Sequence, residues 1–356
     1  MSAQSSTSME SRLLSSVKSV QVDSLVVMKV VRQVESERYC GAGDLYENYQ
    51  GYLTGLVVPE EQRLEVTHCF PTIKTDSFGE DNDNARPKAR EEEDGKQTEV
   101  LQDMLKKFRN MNVDYELVGF YQVHPFGACF TEDLVQSLWD YQSTCQDAVV
   151  LVYDPIKTNQ GQLSLKAYRL SQKALDLCYV DWYPETVKKA GLTFENTFEE
   201  LPLIIKNSHL INTLLYELKV RRQSQAPSVS LRLGTNGGLE RCMRQMMGHV
   251  DDMNRALNQF NKYAIEKQRY DTFYAGLMQK RAAENEQRKL RGEAPLSFDE
   301  LKKQLKQPVL QSKNGMGMME NFLASAQTAA HLDHALQVAG ENLIKLNVTT
   351  ALGDDK

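Results

Sequence analysis

No segment of this 356-residue chain reaches the roughly 18 consecutive apolar residues that a membrane-spanning helix needs. The first sixteen residues, MSAQSSTSMESRLLSS, hold no apolar stretch long enough for a secretory leader, and none is expected there. Cysteine is sparse: six residues, at 40, 69, 129, 145, 178 and 242, with no C-x-x-C pair. That excludes a zinc ribbon and a disulfide scaffold, and points to free thiols in a reducing compartment, the cytoplasm. Missing too are the G-x-x-x-x-G-K-[ST] loop that cradles nucleotide phosphates and the G-x-S-x-G turn that presents a nucleophilic serine. Nor is there a surplus of positive charge. The formal net charge of −6 argues against a chain that coats nucleic acid or membrane surfaces. Two basic runs, KVRRQ (219–223) and QKRAAENEQRKLR (279–291), lack interleaved aromatic residues and leave direct RNA contact open.

What is present is an ordinary globular composition, 41% hydrophobic and 25% charged, with length enough for two domains. Residues 1–16 are rich in serine and expected to be disordered. VKSVQV (17–22) reads as a strand, and Asp23 is placed to cap a helix carrying Leu25, Val26, Val27, Val30, Val31 and Val34. GYLTGLVV (51–58) and RLEVTHCFP (63–71) flank PEEQ and read as a hairpin. Residues 76–97 are almost wholly polar or charged and are expected to be a mobile acidic loop. TEVLQDMLKKFRNMNVD follows as an amphipathic helix. YELVGFYQVHP is then a strand that Pro125 ends, and Thr131 is an N-cap with Glu132 and Asp133 in the first turn. DAVVLVYDP is a buried strand and LSLKAYRLS its neighbour. The expected fold is α+β, a mixed sheet flanked by helices over 17–175, followed by a long α-helical C-terminal region.

Residues 176–235 form an expected extension in which strand signals are scarce. Within it, LPLIIKNSHLINTLLYELK (201–219) reads as an extended lead-in and a helix. Over 236–350 helices dominate. Leu239, Met243, Met246, Val250, Met253, Leu257, Phe260 and Ala264 step by fours and threes, an uninterrupted heptad seam. A second seam runs through Ala329, Leu332, Leu336, Ala339, Leu343 and Leu346. Such seams call for partner helices, supplied either by other chains or by the first domain. Methionines 243, 246, 247 and 253 read as filling of a bundle core. His331 and His334 stand three apart, a chelating spacing, but without further ligands they read as exposed helix surface.

VQVDSLVVMKVV, YQGYLTGLVV, LEVTHCFP, VGFYQVHPFGACFT, VVLVYDP, LSLKAYRLS and LPLIIKNSHLINTLLYELK, in this order and spacing, resemble the MPN domain family. Within it they look most like the h-subunit family of eukaryotic translation initiation factor three, a non-catalytic branch. Catalytic MPN members, the JAMM metalloproteases, carry H-x-H-P and, after seven intervening residues counted from the second histidine, S-x-x-D. Residues i and i+2 of a strand share a face, so two imidazoles reach one zinc, and an Asp from the next helix completes three ligands. An upstream Glu takes the proton of the zinc-bound water.

This chain departs from the pattern place by place. Gln122 stands for the first His, while His124 and Pro125 match. After seven intervening residues, Glu132 takes the place of the Ser and Val135 that of the Asp; with a one-residue gap these become Thr131 and Leu134. Asp133 fits neither register, and one residue turns a side chain about 100° around a helix. The upstream Glu falls on Asn48, or on Glu47 with a one-residue shift. No catalytic residue, metal or other cofactor is therefore expected. The resemblance implies a scaffold subunit that pairs with a second MPN subunit, f. Its C-terminal helices would join those of PCI subunits, and the complex would serve initiation on the small ribosomal subunit. The alternatives are a zinc-dependent isopeptidase with an altered site, and an MPN scaffold of the proteasome lid or the signalosome.

Overall fold

The computed structural model describes residues 17–39, 49–72, 87–159, 163–180, 182, 184–222, 238–291 and 314–354. The expectations for 1–16, for the start of the loop at 76–97, and for Glu47 and Asn48 lie outside these residues. Eight strands form one mixed sheet: β1 (Ser19–Asp23), β2 (Gln50–Val58), β3 (Arg63–Pro71), β4 (Leu117–Val123), β5 (Val149–Tyr153), β6 (Leu165–Leu170), β7 (Phe198–Leu201) and β8 (Leu203–Lys206). Their order is β7-β6-β5-β4-β2-β3-β1-β8. β2 and β3 are the expected antiparallel hairpin, while β1 lies parallel to both β3 and β8 and β4 parallel to β5.

β7 and β8 stand at opposite ends of that order, yet only Pro202 separates them in sequence. The sheet must therefore curl until its ends meet. The Val20 amide donates to the Pro202 carbonyl at 2.9 Å, and Arg169 of β6 donates from Nη1 to the Val17 carbonyl at 2.9 Å. Proline suits the junction because it has no N–H to leave unpaired. Both strands come from beyond residue 175, so the sheet draws its closing edge from the segment expected as a separate extension. FEEL carries neither alternation nor β-branched residues, which is why β7 gave no signal.

α1 (Ser24–Tyr39) lies against one face of the sheet. Val26, Val30 and Val34 repeat every four residues, and they pack with Leu53, Leu64, Val66 and Leu151 into a first core. The other face is covered by α3 (Glu132–Thr144), α5 (Gln172–Val180) and α6 (Pro184–Ala190). Here Leu134, Leu138, Leu177 and Trp182 meet Phe120, Val150 and Val152 in a second core. Each buried leucine contributes about 1.5–3 kcal/mol relative to exposure. A short α4 (Pro155–Asn159) follows β5, and the amphipathic α2 (Pro87–Asn110) precedes β4. Residues 87–97, expected within the acidic loop, are thus helical. A proline at the first helical position loses no hydrogen bond, and the Lys, Arg, Glu and Gln residues that follow are good helix formers.

Among the described residues three helices follow the sheet: α7 (His209–Arg222), α8 (Gly238–Arg291) and α9 (Asn314–Asp354). Cys242 lies beside His331, and Met253 beside Ser325 and Thr328, so α8 and α9 run antiparallel. On α8 the packed side holds half of the expected seam together with neighbouring positions, and on α9 it lies one residue away from the seam leucines. Cys242 is buried, and Met246, His249, Met253 and Phe260 are partly buried, whereas Met243, Val250 and Leu257 are exposed. On α9 the buried positions are His331, Ala335 and Val338, whereas Leu332, Leu336, Leu343 and Leu346 are exposed. The intramolecular pairing thus leaves Met243, Val250 and Leu257 of the α8 seam and the leucines of the α9 seam open.

Candidate functional site

β4 carries the strand residues of the family's metal site, and a bulge decides which way they point. Leu53 pairs with Gly119 and Thr54 with Leu117, leaving Val118 as the extra residue. Gly119 permits this: a Cβ there would stand 1.9 Å from the Val149 carbonyl oxygen. After the bulge Tyr121 and Val123 lie in the first core and Phe120 in the second, and strand alternation puts Gln122 and His124 on the Phe120 side. Gln122 and His124 are brought together as the i, i+2 spacing requires, with Gln122 Nε2 3.0 Å from His124 Nε2. The amide N–H thus fills the ring nitrogen that would otherwise bind an ion, and Gln122 Oε1 is buried with no hydrogen-bond partner. Burial holds His124 well below its ordinary range, at about 4, so the imidazole is neutral at physiological pH.

Thr131 caps α3 as expected: its hydroxyl accepts the Leu134 amide at 3.3 Å, and Glu132 and Asp133 occupy the first turn. The two candidate positions for the third ligand are Leu134 and Val135, exposed by only 1% and 3%, and both lie inside the second core. The place of a carboxylate is filled by methyl groups. A zinc site needs three anionic or imidazole donors converging on one point. Among the described residues no group of three or more His, Cys, Asp or Glu is placed to hold a metal ion. These residues do not fit zinc, and no step through a metal is derived.

Two residues near this site carried no expectation. Asp154, in the Asp-Pro turn after β5, is buried, and its carboxylate accepts the amides of Ile156 at 2.9 Å and Lys157 at 3.2 Å. It also accepts the Phe126 amide; burial raises its pKa to about 6 against these bonds. An Asp immediately before a helix-starting Pro is a legible cap. Phe126 was not legible. Its backbone adopts φ 64, ψ 6, a left-handed conformation that is uncommon for an aromatic residue. Its buried ring lies 4.9 Å from the His334 ring and 5.7 Å from that of His331. The two histidines expected on exposed helix surface are thus buried under this turn, His331 also stacking on His249 at 5.3 Å.

Residues 15–147 match the family described as JAB1/Mov34/MPN/PAD-1 ubiquitin protease, and residues 158–356 match the C-terminal region of eIF3h. The chain is 50% identical over 356 residues to the H subunit of eukaryotic translation initiation factor 3 from Brugia malayi, covering 95% of this chain and 93% of the relative. It is 47% identical over 346 residues to the same subunit of the factor from Caenorhabditis elegans, covering 96% and 93%. The figure for the Xenopus laevis protein of that name is 35% over 339 residues, covering 95% and 94%. With a sheet of MPN type, a C-terminal region matched over its whole length and similarity along nearly the entire chain, the protein belongs to the H-subunit family of eukaryotic translation initiation factor 3.

Proposed function

We propose that this chain is a non-catalytic scaffold subunit of the translation initiation factor 3 complex, acting in the cytoplasm. It would support assembly of initiation complexes on the small ribosomal subunit by holding other subunits in place. The observation that carries the scaffold reading is the apolar face left open by the C-terminal hairpin. Met243, Met247 and Val250 each follow a packed residue of α8 by one position, as do Leu332 and Leu336 on α9. In an antiparallel pair, residues at the same offset from the contact emerge on the same side. The two exposed stripes therefore form one surface, on which Leu336 is 71% exposed and Met247 65%. A third or fourth helix laid along it would complete a bundle, and helices of PCI subunits are its proposed source.

A second open surface lies at the β8 edge. Ile204 and Ile205 are exposed there, and α7 beyond it exposes Leu210, Leu214, Tyr216 and Leu218. Apolar residues so crowded mark an interaction site, and pairing with the second MPN subunit, f, is the proposed use. Among the described residues no helix is long and apolar enough to cross a membrane. Absence of catalysis is part of the proposal. It rests on Gln122 at the first ligand position and Leu134 or Val135 at the third.

The test is affinity purification of the native protein with mass spectrometry, together with elemental analysis of the pure chain. Recovery of initiation-factor subunits with no bound zinc is the expected result. Recovery of proteasome-lid or signalosome subunits instead would overturn the assignment. Stoichiometric zinc with ubiquitin-chain cleavage lost in His124→Ala would establish the isopeptidase reading.

A further inference from the structure

The second core is not closed by the elements that surround it. Met319 and Leu323 of α9 belong to it, at 9% and 5% exposure, and Phe322 lies 6.3 Å from Trp182 in ring centroids. Further along, His331 and His334 straddle the ring of Phe126. The same helix thus presses on α3, on the 125–127 turn and on the 194–196 turn. Its opposite side carries the open stripe of Leu332 and Leu336.

Phe126 holds a left-handed backbone, which for a bulky side chain costs on the order of 1–3 kcal/mol and persists only where the surroundings enforce it. The Asp154 carboxylate fixes its amide from below, and the two histidines of α9 enclose its ring from above. The turn therefore projects an aromatic ring out of the sheet and into the helix.

We propose that the Phe126 turn is a latch for this chain's own C-terminal helix: with α9 seated, the 125–131 loop is occluded, and that face becomes accessible only when α9 lifts away. The strand-turn-helix unit that holds a metal in catalytic relatives would then serve as the seat of an intramolecular strap. The latch also fixes the hairpin relative to the sheet, so the open stripe on α9 is presented in one orientation. Nothing in this depends on which complex the chain joins, and its test is read on the isolated chain.

Native thiols report on it. Cys129, within the 125–131 loop, is buried in the second core, and Cys178, packed against that core beside Trp182, is partly exposed. Cys69 sits in the first core, away from α9. Burial pushes all three thiols up, Cys69 and Cys129 to about 12 and Cys178 to about 11; Cys69 and Cys129, being fully covered, react only when their surroundings open. The full-length chain, its Phe126→Ala variant and its Leu323→Asp variant are pulsed with N-ethylmaleimide, and each cysteine is followed by peptide mass spectrometry. The expected result is Cys129 labelling at least about tenfold faster in both variants, with Cys69 at the wild-type rate. An unchanged Cys129 rate in either variant, or acceleration of Cys69 alongside Cys129, would overturn the latch.

Discussion

The two faces of the sheet are finished in different ways. Among the described residues the first core draws on 17–203 alone: α1 covers it, and the sheet ends meet around it at Pro202. The second core takes Met319 and Leu323 from more than a hundred residues beyond its last sheet strand. One face is therefore a self-sufficient hydrophobic interior, and the other is half interior and half joint. A joint of this kind opens at a free energy below that of global unfolding, because only part of its apolar area is lost when one helix leaves. The difference also locates function. The self-sufficient face maintains the fold, while the jointed face carries both the remnant of the family's metal site and the helix whose outer side exposes Leu332 and Leu336.

The largest effect that separates the two faces comes from cavities. Leu151→Ala, in the first core at full burial, should cost about 3–5 kcal/mol and move the whole circular-dichroism unfolding transition in urea. Leu323→Ala should cost about 1–2 kcal/mol, limited by the free energy of docking α9. It should shift the tryptophan fluorescence change, since Trp182 lies beside Phe322, ahead of a circular-dichroism transition that barely moves. Coincident transitions in Leu323→Ala would mean that the second core is as self-sufficient as the first.

A smaller effect should appear on acidification. Burial, then the neighbouring His249 and His334, hold His331 at about 4, against about 6.5 in the unfolded chain. A group whose folded pKa is depressed binds its proton more readily after release. Its contribution is present above about pH 6.5 and is lost as pH falls toward 4. The groups around this pair are His249 and Cys242 of α8 and, near His334, Lys157 of α4 and Glu341 of α9. The α9 fluorescence step should weaken by about 1–3 kcal/mol between pH 6.5 and 4, and His331→Gln should flatten that dependence. An equal pH dependence in the variant would place the titrating group elsewhere, His124 being the next candidate because burial depresses it in the same direction.

Much of the site was legible because its signals are local. Pro125 ending a strand, Thr131 capping the next helix and the shared face of residues 122 and 124 follow from backbone rules that act over a few residues. The bulge at Val118 was not legible, since Gly119 is needed by a neighbouring strand that nothing in the local pattern identifies. The left-handed Phe126 was hidden for a related reason: Asp154 and two histidines more than 200 residues away hold it. His331 and His334 read as surface residues because their helix alone gives them no cover. The heptads were legible and their use was not. Periodicity marks the most apolar stripe, but only part of the α8 seam, Met253 among it, joins Cys242, His249 and His331 in the contact, leaving Met243, Val250 and Leu336 outward. A chain that lives within an assembly has reason to keep its best seam for its partners.

On the proposed function this outward seam holds the chain in its complex while the fold does without it. The most direct measurement compares wild type with the double variant Leu336→Asp, Leu343→Asp, both sites being more than 60% exposed. Each chain is expressed in full length, purified with its partners and quantified by mass spectrometry, with the thermal midpoint recorded in parallel. An unchanged midpoint with loss of the helical partner subunits is the expected result. Undiminished recovery of those subunits by the double variant would contradict the claim.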